Sequence, residues 1–223
     1  TIDSEVTAKL NEIAAKGGQI RIVSNTILSP STKVAIEKFK AKYPTASHVQ
    51  YDSISNYGIL KANKESFGTA MIPSYDFSKA KVIVSVGADF LGTWLSPIEF
   101  SKQFAVNREV TDDKRDMSRL YQFESNLSLT GANSDYRSMI KPSQEGLVVA
   151  QIYNILSGNG AKSIDKIAYL EKAAAELKAN AGNALVVCGS NDKSVQVVVN
   201  AINNLLGSYG TTILPSAPVN FRL

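Results

Sequence analysis

The chain has 223 residues, 44% hydrophobic and 20% charged, with 24 Lys and Arg against 20 Asp and Glu for a net charge of +4. That composition suits a globular protein with one large domain or two small lobes, and it holds no apolar run near the roughly 18 residues of a membrane span. The charge is too mild and too scattered for a nucleic-acid surface, and one Cys with one His rules out an internal disulfide, a structural zinc site or an iron–sulfur cluster within these residues.

DSEVTAKLNEIAAKGG predicts a helix capped by Asp3 or Ser4, with Val6, Leu10 and Ile13 at helical spacing and Gly17-Gly18 as its stop. QIRIVSN follows as a strand. SPSTKVAIEKFKAKYP is a helix with Pro30 in its first turn, apolar positions at Val34, Ile36, Phe39 and Tyr43, and a solvated face at Lys38, Lys40 and Lys42. HVQYD is a second strand, and ISNYGILKANKESFG a helix that tolerates Gly58. Val82–Val86 is a β-branched run ended by Gly87, as expected of a strand buried on both faces. SPIEFSKQFAVNRE is its helix, with Ser96 as cap and Pro97 in the first turn. RLYQFES is a fourth strand.

From Asn126 to Pro142 the chain is polar and turn-rich, and it reads as a long irregular loop of the kind that often carries function. Two helices follow, SQEGLVVAQIYNILSG and SIDKIAYLEKAAAELKAN, with Gly158 and Gly160 as a helix stop between them. ALVVCGS is a fifth strand, and DKSVQVVVNAINNLLGSYG a last helix. This alternation predicts an α/β fold: three αβα layers around a mainly parallel, Rossmann-like sheet. The strands around Ile20–Ser24, Val49–Tyr51, Val82–Val86, Leu120–Phe123 and Leu185–Cys188 are expected in one sheet. Residues 1–223 read as a single segment, with lobes 1–125 and 143–223 joined by 126–142. The start on Thr1 and the tail LPSAPVNFRL suggest a piece of a longer protein, so the lack of a leader says little about compartment.

Self-contained catalytic machinery is missing from the sequence. His48 and Cys188 lie on separate strands and read as a strand-end imidazole and a buried thiol. Gly-x-Ser-x-Gly and His-Glu-x-x-His do not occur. The first strand runs into VSNTILSPS without a Gly, and Gly87 and Gly92 have the wrong spacing for a dinucleotide turn. The loop from Asp89 to Pro97 has two readings, an anion-binding turn at a helix start or a purely structural cap with Trp94 as an interface residue. Residue types alone favour structure.

VIVSVGADFLGTWLSP, followed by FESNLSLTGANSDYRSMIKPSQEGLVVAQIYNIL, resembles the molybdopterin oxidoreductase superfamily of the dimethyl sulfoxide reductase type. Those enzymes share a strand ending in Gly-x-Asn with a Pro several residues on, and a polar segment closing in Arg-Pro-Gly-Thr-Asp before an apolar helix. The counterparts are Gly87-Ala88-Asp89 with Pro97, and Lys141-Pro142-Ser143-Gln144-Glu145; VVVNAINNLLGSYG is similar to the family's helix ending in Leu-Asn and Gly. The resemblance implies a cradle for a pterin guanine dinucleotide near Gly87, Asp89, Thr93, Ser96, Ser143, Gln144 and Glu145. In the family an Asp of Gly-Thr-Asp reads guanine; here Glu145 is longer and follows Ser143-Gln144, while Asp89 puts a carboxylate where the family has Asn. Both departures weaken cofactor binding.

GADFLGTWLSP and QFESNLSLTGANSDYR most resemble the large iron–sulfur subunit of bacterial alternative complex III, a quinol:electron-acceptor oxidoreductase. The resemblance implies a vestigial, non-catalytic scaffold and docking segment, without cofactor or metal of its own and with the iron–sulfur clusters elsewhere in the parent chain. Its partners would be the rest of that subunit and other respiratory-complex subunits on the periplasmic side of the inner membrane, without nucleic acid or membrane insertion. The alternative is the cofactor-binding domain of an active molybdopterin-dependent oxidoreductase, holding molybdopterin guanine dinucleotide. A third reading is a stand-alone small-molecule binding domain.

Overall fold

Helix α1 (Ile2–Ala15) starts on Thr1 rather than on Asp3 or Ser4, and the Ser4 hydroxyl donates back to the Thr1 carbonyl at 2.7 Å. It leads into β1 (Ile20–Ser24), α2 (Pro30–Lys42) and β2 (Ala46–Gln50). In α2 Pro30 takes the first helical position and Ser29 caps, accepting the Thr32 N–H. This is a computed structural model, describing residues 1–159 and 167–218; the start of the predicted SIDKIAYLEKAAAELKAN helix, Gly160 and the last five residues of the tail lie outside them.

The chain divides into two compact units, Thr1–Asn56 and a larger one beginning at Tyr57. In the first, β1 and β2 pair in parallel from Ile20 opposite Ala46 to Ser24 opposite Gln50. The core is small: Ile20, Tyr43 and Ala46 are buried, with Leu10, Ile13 and Phe39 packed on them. Val34, expected as an apolar contact of α2, is exposed. His48 sits within β2, 2.8 Å through Nε2 from the Ser24 hydroxyl.

The second unit runs α3 (Tyr57–Phe67), β3 (Ser74–Tyr75), β4 (Val82–Val86), α4 (Pro97–Val106), β5 (Arg119–Glu124), α5 (Leu129–Ala132), β6 (Tyr136–Met139), α6 (Glu145–Leu156), α7 (Leu170–Ala179), β7 (Ala184–Cys188), α8 (Lys193–Leu205) and β8 (Ile213–Leu214). Its main sheet is parallel throughout, in the order β6-β5-β4-β7. β4 and β7 are buried at every position, which explains their unbroken apolar runs.

Strand alternation sorts the sheet into two faces. Val82, Val84, Val86, Tyr121, Phe123, Ala184, Val186 and Cys188 pack with Val148 and Ile152 of α6, Ala173 and Leu177 of α7, and Val199 and Ile202 of α8. Each large apolar side chain fully buried this way contributes about 1.5–3 kcal/mol. Ile83, Ser85, Leu120, Gln122, Leu185 and Val187 are buried on the other face. An aromatic cluster anchors α4: Phe77 stacks on Phe90 at 4.3 Å between ring centroids, and Phe100 and Phe104 pack beside them. Helices thus flank the sheet in three αβα layers, as expected.

The expected single sheet of five strands is corrected to a parallel pair, β1-β2, and the separate four-stranded sheet. Both edges of β4 are taken by β5 and β7, and the outer edge of β5 by β6, which the polar spelling YRSM concealed. Residues 126–142 are therefore not one irregular loop: they carry α5 and β6 inside the second unit. The boundary between compact units falls instead after Asn56. The short antiparallel pair β3-β8 also escapes sequence reading, being two residues a side.

Candidate functional site

Gly87 ends β4 with φ at +62°, a left-handed conformation that frees the chain from the sheet without a Cβ penalty. A Cβ there would meet Glu145 Oε1 at 2.8 Å, so backbone and carboxylate are in close approach. The chain then wraps around Asp89. Its carbonyl accepts the N–H groups of Thr93 and Trp94, both at 2.8 Å, and of Gly92 at 3.1 Å. Its carboxylate Oδ1 accepts the Thr130 N–H at 3.0 Å and the Thr130 hydroxyl at 2.8 Å, and that hydroxyl accepts the Leu91 N–H. Asp89 is thereby a knot between the loop after β4 and the first turn of α5.

Glu124, the last residue of β5, forms a second knot. It is almost wholly buried, and its Oε1 takes the Arg137 Nε–H at 2.6 Å from β6. The Ser128 N–H donates to Oε1 at 3.2 Å, the Ser128 hydroxyl to Oε2 at 2.5 Å, and Gln122 Nε2 to Oε2 at 3.1 Å. Burial pushes the Glu124 carboxyl up, but the bonds from Ser128 and Arg137 outweigh it and hold it below its ordinary value. Ser128 also caps α5 by accepting the Gly131 N–H at 2.9 Å.

Glu145 is the third carboxylate. It opens α6, is partly buried, and makes no hydrogen bond or ion pair among the described residues. Burial holds its carboxyl above the ordinary carboxylate range. Burial also pushes the Cys188 thiol up to about 12, a smaller share coming from the Glu145 charge, so thiol and carboxylate share the ends of β7 and β4.

A cavity of about 470 Å³ opens at this carboxyl edge of the sheet, where open α/β sheets bind ligands. It brings together four of the residues singled out by sequence: Gly87, Asp89, Thr93 and Glu145. The other wall is Glu124 and the run Ser125–Leu129, which sequence reasoning did not select as a site. No sequence signal singled out Glu124, whose inward turn depends on Arg137 arriving from β6.

The remaining selections fall elsewhere. Trp94, read as an interface residue, is only 7% exposed; its ring lies 5.2 Å from Tyr75 and 5.8 Å from Phe100. It completes the aromatic cluster with Tyr75 and Phe100. Ser96 occupies the cap position of α4, but its hydroxyl makes no capping bond; the preceding Leu95, left-handed at φ +51°, sets the entry angle instead. Ser143 and Gln144 form a 3-10 turn before α6 and do not line the cavity. The Gln144 side chain accepts the Lys141 N–H at 2.8 Å.

A parallel sheet with helices on both faces and a cavity over its carboxyl ends defines a three-layer αβα protein. Solved structures share this fold, two of them as follows. One is the formyltransferase/hydrolase complex FhcABCD of Methylorubrum extorquens, in complex with methylofuran: TM-score 0.59 at 14% identity, over 93% of this chain and 55% of that one. The other is acetylene hydratase from Pelobacter acetylenicus: TM-score 0.58 at 13% identity, over 95% of this chain and 33% of that one. The chain thus spans about half of the first and a third of the second, and at these identities the likeness is one of fold. No protein-family model and no curated protein sequence matches the chain.

Proposed function

We propose that the chain is a non-catalytic scaffold and docking segment of a larger respiratory electron-transfer subunit, of the kind found in alternative complex III. Its cradle keeps the backbone shape of a pterin-dinucleotide site and has lost the ligand. The single observation that carries this reading is the lining of the cavity: three carboxylates, Asp89, Glu124 and Glu145, of which only Glu124 has a cation bonded to it among the described residues. A dinucleotide brings a pyrophosphate, and each carboxylate facing a phosphate at about 4 Å costs roughly 1–4 kcal/mol in water-to-surface dielectrics. This donor set does not fit the cofactor. The iron–sulfur clusters, the other respiratory subunits as partners and the periplasmic location belong to the same proposal and rest on the sequence resemblance.

The rival reading, an active cofactor-binding domain, draws on the left-handed Gly87 and the cavity at the carboxyl edge. Calorimetric titration with GDP separates the two. No saturable heat is expected up to about 1 mM nucleotide. Saturable binding near micromolar concentrations, abolished by Glu145→Ala, would show that Glu145 still reads a guanine edge and would overturn the proposal.

A further inference from the structure

In the loop after β4, Leu91 and Leu95 are partly buried and Trp94 is buried. The exposed apolar side chains lie on the opposite wall. Leu127 is 66% exposed and Leu129 54% exposed, and both line the cavity. Met139, 76% exposed, stands opposite Glu124 in the β5-β6 register. Leu127 and Leu129, each more than half open to water, give the acidic hollow an apolar lip, and Met139 adds an exposed apolar side chain at the adjoining β5-β6 edge.

We infer that this lip and hollow are a docking surface for a protein segment that places one Lys or Arg side chain against Glu145 and covers Leu127, Leu129 and Met139 with apolar neighbours. The inference rests on the scaffold reading above and gives its docking partner a chemistry. Charge complementarity selects the occupant. The hollow holds three carboxylates; Asp89 is engaged by neutral donors, Glu124 by Arg137, and Glu145 by neither. A partly buried carboxylate without a partner is costly, and a cation from outside relieves that cost. An anionic or phosphate-bearing occupant meets repulsion, and among the described residues no group of three or more His, Cys, Asp or Glu could hold a metal ion. Large apolar side chains around a desolvated charge pair are also how protein interfaces concentrate their binding energy.

The test uses the full chain, isotopically labelled for amide NMR and titrated with two capped tripeptides, acetyl-Leu-Arg-Leu-amide and acetyl-Leu-Gln-Leu-amide. The arginine peptide is expected to shift the amides of Gly87, Ser128, Leu129 and Glu145 saturably, with at least about fivefold higher affinity than the glutamine peptide. Glu145→Gln is expected to erase that preference. Leu127→Ser, at an exposed side chain, is expected to leave the melting temperature unchanged and to weaken both peptides about threefold. Equal affinity for the two peptides, an unchanged preference in Glu145→Gln, or no saturable shift up to about 10 mM would each overturn the inference. GDP in a parallel titration keeps the two proposals apart. A saturable GDP shift at these amides sinks the scaffold reading and this inference with it; silence with both GDP and the arginine peptide sinks the docking inference alone.

Discussion

Replacing Arg137 by Met isolates the charge pair that ties β6 to the end of β5. The Glu124 side chain is 4% exposed, that of Arg137 is 29% exposed, and Nε lies 2.6 Å from Oε1. Removing one partner of a buried pair typically costs 3–5 kcal/mol, because the other charge is left uncompensated. Here the bonds from Ser128 and Gln122 survive, and Arg137 is partly in water, so the lower end applies: about 3 kcal/mol, or roughly 6–12 °C in melting temperature for a chain of this size. The loss must depend on pH. The Glu124 carboxyl is held below its ordinary value of 4.5 in the folded protein, so its stabilising share is present above that value and fades as pH falls through the folded pKa. In Arg137→Met the carboxyl titrates higher, and once it is protonated in both proteins the difference between them shrinks. Urea unfolding of both proteins at pH 7 and at pH 3.5, with Glu124→Gln and the double variant closing the cycle, measures each part. A loss below about 0.5 kcal/mol at pH 7, or one of equal size at both pH values, would refute the reasoning.

Gly131→Ala should destabilise by about 2 kcal/mol, since its Cβ would fall 1.9 Å from Glu124 Oε1, a carboxylate pinned by Ser128 and Arg137; thermal melts check this, and an unchanged melting temperature contradicts it. Asp89→Asn keeps an acceptor for both Thr130 donors and should change stability by less than about 1 kcal/mol, whereas Asp89→Ala should cost about 1–2 kcal/mol; equal losses in urea unfolding would mean that the charge, not the acceptor, holds the loop. Trp94→Phe should be tolerated, because Nε1 has no partner in the aromatic cluster, while Trp94→Ala should cost about 3–5 kcal/mol; the reverse order in denaturant midpoints would show a hidden bond to the indole. Cys188, buried and with its thiol pushed up to about 12, should resist a thiol reagent in native buffer at pH 8 and react on unfolding; rapid native labelling would contradict the packing.

The parts legible in the sequence are those in which one signal sufficed. β4 and β7 are short β-branched runs buried at every position, and both fall where the apolar letters place them. Pro30 and Pro97 mark the first positions of α2 and α4. β6 was hidden because a parallel edge strand of four residues needs only one apolar face, and Tyr136-Arg137-Ser138-Met139 spells a turn as readily as a strand. At the candidate site, Gly87, Asp89 and Glu145 could be named in advance because they stand where the resembled family carries its Gly-x-Asn and Gly-Thr-Asp motifs. Glu124 could not: nothing in RLYQFES says that its carboxylate turns inward, and only the arrival of Arg137 from β6 makes that burial tolerable.

The shape of this hollow and what it can hold are set by different atoms. The turn after β4 depends on the left-handed Gly87, the Asp89 carbonyl gathering three N–H groups, and Thr130 bonding the Asp89 carboxylate. None of these bonds refers to a phosphate, so the turn persists whatever the hollow holds. Ligand choice falls instead to the side chains that line the space, and there Asp89, Glu124 and Glu145 present carboxylate acceptors. A fold shared at 13–14% identity therefore leaves the chemistry of the hollow to the side chains that line it. The sign of the charge in the hollow, not the outline of the loop, decides what can sit there.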